Sequence, residues 1–288
     1  MKMNTLKEKV SNGKMIKIIG AHNGLSAKLA ESTGFDAIWA SGLEISASHA
    51  VPDANILTMT DNLEAARDIN KAVSIPVICD CDSGYGDINN VAHMIKEYES
   101  IGVSGVCIED KPFPKLNSFL GEKQKLENIE LFAEKIKVAQ ETKVNQDFLV
   151  IARIEAFIAG QGLEEVLKRA EAYEKAGADA LLIHSKKKDA SEIYEFCNFY
   201  NGDLPIVIVP TTYPDIDLNT LNQLGIRMVI YANHGIRSSV NAMKKTFSNI
   251  LENGNTMEVE NSISPMAEIF DLQGTKNLRT SSAQKQNV

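Results

Sequence analysis

The feature that most constrains the fold is an eightfold alternation of short apolar runs with amphipathic helical segments. The runs are rich in β-branched residues and almost continuously apolar, as expected of parallel strands buried on both faces. They cover residues 16–19, 37–40, 77–79, 105–108, 149–152, 180–183, 206–209 and 228–231. Eight strand-then-helix units in a chain of 288 residues predict a (β/α)8 TIM-type barrel with a C-terminal helical extension.

The segments between the runs have the pattern of surface helices. Residues 163–176, for example, place charged side chains among regularly spaced apolar ones. Gly34, Gly102, Gly177 and Gly225 each follow such a segment shortly before the next run, where a helix C-terminus favours glycine. A doubly wound open sheet is the alternative fold, but no G-x-G-x-x-G motif follows the first run.

Composition narrows the class of protein and its partners. The chain is 44% hydrophobic and 24% charged, which is ordinary for a soluble domain. A net charge of −8 and the absence of a basic block argue against nucleic acid as a partner, although a local pocket can still bind a small anion. No run is long enough to span a membrane, and no signal-peptide core is present at the N-terminus.

The four cysteines lack the spacing of a zinc site, and Cys79 and Cys81 are expected to be small buried side chains within a strand. We therefore expect a protein of the reducing cytoplasm. The barrel is predicted to cover residues 1–252 and the extension residues 253–288. A short helix is predicted over 265–272, and the polar tail is predicted to be disordered.

Polar and ionisable residues follow seven of the eight runs directly. In a barrel of this kind the active site lies at the C-terminal ends of the strands, so these residues are expected to share one mouth. The strand-end segments are 21–24, 41–44, 80–86, 109–111, 153–155, 184–185 and 233–234. The concentration of histidine, arginine and carboxylates at these positions predicts a functional site there.

Three carboxylates form the candidate metal site. Because strand side chains alternate, Asp80 and Asp82 are expected to project to one side, with Cys79 and Cys81 on the other. Glu109 at the end of the next strand would join them. Such a hard-oxygen set suits Mg²⁺, which takes few carboxylates and completes its shell with water and substrate oxygens. The alternative is that one aspartate caps a helix or orders the turn at residues 84–86.

Arg153 and His184 are the candidate anion-binding residues at the ends of the fifth and sixth runs. Arginine offers a planar fork for carboxylate or phosphate oxygens, and histidine can donate a hydrogen bond or a proton. His22 and His234 also follow runs, and their roles stay open. His49 and His93 are expected to be surface residues. The loop after the fourth run adds the donors Lys115, Asn117 and Ser118.

Several segments together resemble the phosphoenolpyruvate mutase branch of the isocitrate lyase superfamily. The strongest is Glu109-Asp110-Lys111 followed by Lys115-Leu116-Asn117-Ser118, which is similar to the gating-loop motif E-D-K-x-x-x-K-x-N-S of that branch. Supporting segments lie at 39–43, 80–86, 152–157, 184–187 and 232–234. The resemblance extends from about residue 15 to residue 272, which is nearly the whole chain.

The resemblance implies a Mg²⁺-dependent interconversion of phosphoenolpyruvate and phosphonopyruvate, the first step of phosphonate biosynthesis. Asp80 would bind Mg²⁺ most directly, and Asp82 and Glu109 would act through its waters. The resemblance also implies that the backbone of Ser41, Gly42 and Leu43 binds the substrate carboxylate, with Trp39 packed nearby. The phosphoryl group would be surrounded by Asn117, Ser118, Arg153 and His184, and Lys115 would close over it. Asp53 matches a further aspartate of the family.

Other activities within the superfamily remain as alternatives. A 2-methylisocitrate lyase type of enzyme would carry a Lys-Arg-Cys-Gly-His loop, whereas residues 115–118 here contain no cysteine. Phosphonopyruvate hydrolase shares the metal and phosphoryl sites, but tends to have threonine where this chain has Asn117. A barrel that only binds an anionic metabolite is an alternative of a different class. The resemblance also implies a homotetramer, a dimer of dimers, in which the last barrel helix is often exchanged.

Overall fold

The eight predicted strands close into one parallel barrel in the computed structural model, which describes residues 5–121 and 124–278. Each strand pairs with the next, and β1 pairs with β8. The strands are β1 (Ile16–Ala21), β2 (Ala37–Ala40), β3 (Val77–Asp80), β4 (Gly105–Glu109), β5 (Leu149–Ile154), β6 (Ala180–Ile183), β7 (Ile206–Ile208) and β8 (Ile226–Tyr231). The closed barrel is confirmed, and the alternative of an open sheet is excluded.

Helices precede, connect and follow the strands along the chain. They are α1 (Leu6–Ser11), α2 (Gly24–Ser32), α3 (Gly42–Ser48), α4 (Met59–Ala72), α5 (Ile88–Ser100), α6 (Ile129–Thr142), α7 (Leu163–Lys175), α8 (Ser191–Phe199), α9 (Leu218–Gln223), α10 (His234–Asn253) and α11 (Met266–Leu272), with a 3-10 helix over Thr275–Asn277. The four glycines expected at helix ends all have positive φ angles, between 76° and 95°. That conformation requires glycine because a Cβ atom disfavours it.

Apolar residues fill two regions that follow strand alternation. One cluster lies between the strands and the surrounding helices and contains Cys79, Cys81 and Val106. The other fills the barrel interior and includes Ile78, Cys107, Ile151 and Leu182. Leu6 and Val10 of α1 belong to the interior cluster, so α1 covers the end of the barrel opposite the strand C-termini. The expected burial of Cys79 and Cys81 is confirmed.

The described chain separates into two compact units, with the boundary between Ile236 and Arg237. The second unit contains most of α10 together with α11, which confirms the short helix predicted over 265–272. The predicted boundary at residue 252 stays a prediction, and the predicted disorder at residues 279–288 lies outside the described residues. Among the helices of residues 5–121 and 124–278, none is long and apolar enough to cross a bilayer.

Candidate active site

Strand alternation carries polar side chains into one pocket at the C-terminal ends of the strands. In four strands a side chain of the barrel interior is followed two positions later by a polar residue that lines the pocket. The pairs are Trp39 and Ser41, Ile78 and Asp80, Ile151 and Arg153, and Leu182 and His184. The pocket is also lined by Leu43, Asp53, Lys115, Asn117, Ser118, Phe119, Val209, Thr211, Ala232 and Asn233. The position of the site predicted from the strand ends therefore agrees with the pocket.

Asp80 and Asp82 converge, although not by the predicted route. Asp80 is the last residue of β3, whereas Asp82 lies beyond the strand in a turn with a φ of 49°. A Cβ atom built on Gly42 would lie 3.3 Å from Asp80 Oδ2 and 3.5 Å from Asp82 Oδ1. The expectation that simple strand alternation aligns the two carboxylates was wrong, because the left-handed turn places Asp82. Glycine at position 42 leaves the room that both carboxylates occupy.

Glu109 joins the site through the register between β4 and β5, which pairs it with Arg153. The Arg153 Nη2 atom lies 3.4 Å from Glu109 Oε2. Burial, reinforced by the nearby charge of Glu109, raises the pKa of Asp80, even though Lys115 and Arg153 oppose that rise. Burial raises the pKa of Asp82 to about 7, again against the attraction of Lys115. The site therefore concentrates carboxylates in a buried environment that disfavours their ionised forms.

The three carboxylates have the chemistry of a Mg²⁺ site but not the closed geometry of one. Within residues 5–121 and 124–278, no group of three or more His, Cys, Asp or Glu side chains forms a ready metal-ligand cluster. However, the buried atoms Asp82 Oδ1 and Glu109 Oε1 accept no hydrogen bond, although a lysine ammonium lies 3.0 Å from the first (Lys115) and 3.7 Å from the second (Lys111). Buried carboxylate oxygens without donors are costly unless a cation compensates them. The donor set of Asp80, Asp82 and Glu109 therefore fits a hard cation such as Mg²⁺ in its chemistry.

Asp53 anchors the loop that follows β4 over this site. Lys115 Nζ lies 2.6 Å from Asp53 Oδ1, and Asn117 Nδ2 donates to Asp53 Oδ2 at 2.6 Å. Lys115 Nζ also lies 3.0 Å from Asp82 Oδ1, as an ion pair without hydrogen-bond geometry. Burial opposes the charge on Lys115, but the surrounding carboxylates of Asp82, Glu109 and Asp53 raise its pKa well above the usual value. Asp53 thus fixes two of the predicted loop residues at the pocket.

Asn55 is a site residue that the sequence reasoning missed. Its Nδ2 donates to Asp82 Oδ2 at 2.7 Å, and its Oδ1 accepts a hydrogen bond of 2.6 Å from the Lys115 backbone N–H. Asn55 has a φ of 54°, a conformation that asparagine tolerates better than most residues. It therefore joins the carboxylate turn to the loop. No periodicity marks it, and the only available signal was its position two residues after Asp53.

The opposite wall of the pocket contains Arg153, His184 and Ser118. Arg153 Nη2 lies 2.9 Å from His184 Nδ1 and 3.2 Å from Ser118 Oγ. Burial opposes the charge on Arg153, but Glu155 and Glu109 raise its pKa well above the usual value. Burial lowers the pKa of His184, and the charge of Arg153 adds to that effect. The wall therefore presents a fixed guanidinium beside an imidazole that is predominantly neutral near pH 7.

The start of α3 lies at the end of the pocket predicted to hold the substrate carboxylate. Ser41 is the N-terminal cap of this helix, and its hydroxyl oxygen accepts a hydrogen bond from the Glu44 N–H. Trp39, Ser41 and Leu43 line the pocket. Gly42 contributes through its close approach to Asp80. The first N–H groups of a helix have no partner within the helix, which suits an anion, so the predicted role of residues 41–43 stays a prediction compatible with the geometry.

Neither His22 nor His234 lines the pocket. His22 Nδ1 lies 2.9 Å from Glu44 Oε2, and Glu44 is completely buried. His234 is the first residue of α10 and packs edge-on against Tyr231, with ring centroids 6.0 Å apart. These contacts account for both side chains without a substrate. His49 and His93 are exposed, as expected.

Comparison with known proteins identifies the family. The family model described as phosphoenolpyruvate phosphomutase matches residues 6–251. The chain belongs to this family. It is 45% identical to the phosphoenolpyruvate phosphomutase of Tetrahymena pyriformis, over 96% of this chain and 93% of that protein. It is also 45% identical to the phosphonopyruvate hydrolase of Variovorax sp. (strain Pal2), over 96% of this chain and 97% of that protein.

A solved structure of this phosphomutase family supports the same assignment. A phosphonopyruvate hydrolase in complex with oxalate and Mg²⁺ has a TM-score of 0.90 against this chain, with 44% identity and coverage of 94% of both chains. The family resemblance inferred from the loop motif and strand ends is thereby confirmed. Because a mutase and a hydrolase are equally similar in sequence, overall similarity does not distinguish their two reactions.

Proposed function

We propose that this chain is a Mg²⁺-dependent phosphoenolpyruvate mutase that interconverts phosphoenolpyruvate and phosphonopyruvate. The observation that carries the proposal is the placement of Asn117. Its amide lies at the pocket, and Asp53 holds it beside Lys115. The family resemblance associates asparagine at this position with the mutase and threonine with the hydrolase. An amide offers a fixed N–H donor to a phosphoryl oxygen, which a hydroxyl of different length and geometry does not reproduce.

The pocket suits a substrate with two anionic ends. The start of α3 would receive the carboxylate of the pyruvyl fragment, and Arg153 with Asn117 would hold the phosphoryl oxygens. Mg²⁺, held by Asp80, Asp82 and Glu109, would supply a Lewis acid that stabilises negative charge on the pyruvyl oxygens. Lys115, which is only 4% exposed, would keep its positive charge close to both ends of the substrate.

The reaction needs positioning of charge more than covalent help from the protein. The bond between phosphorus and the enol oxygen breaks, its electrons remain on that oxygen, and the resulting enolate attacks phosphorus through C3. In the loose transition state of phosphoryl transfer, negative charge lies on the phosphoryl oxygens. Arg153 and Asn117 are placed to stabilise that charge while the enolate turns C3 towards phosphorus. No net proton is gained or lost, so a largely neutral His184 is compatible with the scheme.

Exclusion of water would separate transfer within the substrate from transfer to solvent. Phe119 packs edge-on against His184, with ring centroids 6.0 Å apart, and Lys115 and Ser118 are nearly buried. This packing supports a loop that would cover the end of the pocket where the phosphoryl group would bind. A covered pocket limits the access of water to the phosphorus atom.

Phosphonopyruvate hydrolysis is the second candidate, because the Variovorax hydrolase is as similar to this chain as the Tetrahymena mutase. In that reaction water would attack phosphorus, the carbon–phosphorus bond would break, and C3 would take a proton to give pyruvate and phosphate. The same carboxylates, Arg153 and His184 would serve both reactions. The difference would lie in how completely residues 115–119 exclude water.

Phosphorus NMR distinguishes the candidates directly. Phosphonopyruvate and Mg²⁺ are incubated with the chain, and parallel samples contain a chelator or no protein. We expect the phosphorus signal of phosphoenolpyruvate to grow only with both protein and Mg²⁺. Growth of inorganic phosphate alone would show a hydrolase, and an unchanged spectrum would support a barrel that only binds the anion.

We also propose a homotetramer. In support, α10 exposes Val240, Met243, Phe247 and Leu251, which recur at helical spacing along one face. Light scattering coupled to size-exclusion chromatography would test it, with an expected mass four times the 31.6 kDa of one chain. A mass of 31.6 kDa at micromolar concentration would contradict the tetramer.

A further inference from the structure

Glu155 is a buried carboxylate to which the scheme above gives no role. It is completely buried. It does not line the pocket, but three of the residues that contact it do. Its Oε1 accepts from Arg153 Nε at 2.6 Å and lies 2.6 Å from His184 Nδ1. Burial opposes its charge, but Arg153, His184 and Lys111 hold the pKa of Glu155 well below the usual value.

The second oxygen of Glu155 faces the loop. Oε2 accepts a hydrogen bond of 2.6 Å from Ser118 Oγ and lies 3.0 Å from Lys111 Nζ. Lys111 Nζ in turn donates to Ser118 Oγ at 2.7 Å and to the Leu116 carbonyl oxygen at 3.1 Å. Because Ser118 gives its only proton to Glu155, its hydroxyl is not free to donate to a phosphoryl oxygen. Ser118 therefore belongs to the connection between the loop and Glu155.

The backbone of Glu155 is fixed from the helical layer. Its N–H donates to Asp110 Oδ1 at 2.8 Å. Asp110 Oδ2 accepts hydrogen bonds from Arg169 Nη1 at 2.9 Å and Tyr173 OH at 2.8 Å, both on α7. These side chains are buried. The carboxylate of Glu155 thus has little freedom to move, which makes it a suitable reference point for the groups around it.

The contacts of His184 determine its tautomer. Nδ1 lies near an oxygen that only accepts, Glu155 Oε1, and a nitrogen that only donates, Arg153 Nη2 at 2.9 Å. A hydrogen bond to an ionised carboxylate is the stronger of the two. The proton is therefore assigned to Nδ1, which donates to Glu155 and leaves Nε2 as the ring nitrogen available to substrate. Arg153 Nη2 then donates to Ser118 Oγ, at 3.2 Å.

We propose that Glu155 is a positioning residue that orients Arg153 and His184 through one oxygen and holds the loop, through Ser118 and Lys111, by the other. This assignment rests on the proposed function only in that Arg153 and His184 serve the phosphoryl group. Glu155 itself does not touch the substrate. The charge on its carboxylate matches the four donors that surround it. An amide at the same position would turn one N–H group towards at least one of those donors.

The test compares Glu155→Gln with Glu64→Gln. Both substitutions remove one carboxylate charge that is paired with an arginine, but Glu64 contacts Arg67 on the exposed face of α4. We expect kcat/KM for phosphonopyruvate to fall by about 10²-fold in Glu155→Gln, mostly through kcat, because misplacement of a catalytic group by about 1 Å has an effect of that size. Glu64→Gln should change kcat/KM by less than about twofold, as expected of a substitution that leaves the positioned groups in place.

Nitrogen-15 NMR of labelled histidine provides a signal that would not change if Glu155 had only a structural role. His184→Asn identifies the His184 resonances among the five histidines. In the unsubstituted protein without substrate we expect Nδ1 to carry the proton and Nε2 to lack it. In Glu155→Gln, the Nδ1 resonance should shift towards that of an unprotonated nitrogen, while it stays unchanged in Glu64→Gln.

Each result supports or overturns the assignment. An Nε2–H tautomer in the unsubstituted protein would overturn it, as would unchanged turnover in a folded Glu155→Gln variant. If Glu155→Gln does not fold, the tautomer of the unsubstituted protein decides alone. The tautomer is measured without substrate, so it keeps its meaning even if phosphonopyruvate is not turned over. Failure of the proposed function is therefore distinguishable from failure of this inference.

Discussion

Two charged clusters at opposite ends of the barrel differ in how well hydrogen-bond donors satisfy their carboxylates and in the direction in which the carboxylate pKa shifts. At the end covered by α1, Asp179 accepts hydrogen bonds from Lys7, Gln140, Lys143 and the Val150 N–H, at 2.8 to 2.9 Å. Burial opposes its charge, but these donors keep the pKa of Asp179 below the usual value. At the mouth, Asp82 has the same type of side chain, yet one of its oxygens accepts no hydrogen bond and its pKa is raised to about 7.

This difference indicates that the cluster at the end covered by α1 stabilises the fold, whereas the cluster at the mouth provides a binding site. A carboxylate with hydrogen-bond donors on both oxygens, such as Asp179, stabilises the fold, because ionisation is favoured more in the folded chain than in the unfolded one. Asp82 lies near the carboxylates of Asp80, Asp53 and Glu109, and this crowding lowers the stability of the folded chain. Such a cost is typical of a binding site whose ligand supplies the missing charge. The substitutions below should separate these two roles.

The largest expected effect is a loss of activity from Asn117→Ala at the mouth. Removing one donor from a charge-stabilising pocket lowers turnover by about 10²- to 10³-fold. Asn117 is half-buried, so the free energy of unfolding should change little. Steady-state kinetics with phosphonopyruvate would measure the loss, and calorimetric titration should show that Mg²⁺ binding survives. Unchanged turnover would remove Asn117 from the proposed mechanism.

The second effect is a loss of stability from Asp179→Asn at the base. The amide would turn an N–H group towards lysine or glutamine donors that need an acceptor, which should lower the free energy of unfolding by roughly 3 kcal/mol. The turnover of the folded protein should stay unchanged. Denaturation in urea measures the loss. Asp36→Asn is a matched control, because its partner Lys14 is 56% exposed and such a pair contributes at most about 1 kcal/mol.

The pH dependence of the Asp179→Asn effect has a definite sign. The folded-state pKa of Asp179 is lowered, so its contribution is fully present above the unfolded pKa of about 3.9 and is lost as the pH falls through the folded-state value. The stability difference between the two proteins should therefore be constant near neutral pH and shrink below about pH 4. A difference that grows on acidification would contradict the assignment.

The smallest expected effect is a gain in stability from Asp82→Asn, measured in a chelator. The substitution removes one charge from a crowded buried cluster, and asparagine accepts the left-handed conformation of residue 82. Relief of destabilised active-site residues commonly raises stability by about 1 kcal/mol. Urea denaturation beside Asp179→Asn would then give shifts of opposite sign. A loss of stability in both variants would mean that the mouth and the base do not differ as described.

Much of this molecule follows from the sequence for simple physical reasons. The strands were recognisable as apolar runs, and Arg153 and His184 directly follow two of them, so both could be assigned to the mouth from their positions at the strand ends. Gly34, Gly102, Gly177 and Gly225 mark helix ends because the positive φ angle needed there favours glycine. Asp53 was assigned by resemblance, since it lies outside the regular runs.

The remaining features depend on contacts between distant parts of the chain. The turn that places Asp82 is held by Asn55, which lies 27 residues earlier and shows no pattern of its own. Glu155 was visible as a charged residue at a strand end, but its role comes from partners that lie up to 45 residues away in the chain, at Asp110. Ser118 fits the loop motif, yet only the structure reveals that its proton goes to Glu155.

The most direct test is the fate of the phosphorus atom when phosphonopyruvate is turned over with Mg²⁺ in ¹⁸O-labelled water. Phosphorus NMR resolves the product and any isotope shift from a new phosphorus–oxygen bond to solvent. We expect phosphoenolpyruvate whose three terminal phosphoryl oxygens carry no ¹⁸O, because the phosphoryl group moves within a pocket closed to water. Its bridging oxygen comes from the ketone of phosphonopyruvate, which exchanges with solvent. Inorganic phosphate that carries ¹⁸O as the product would contradict this expectation.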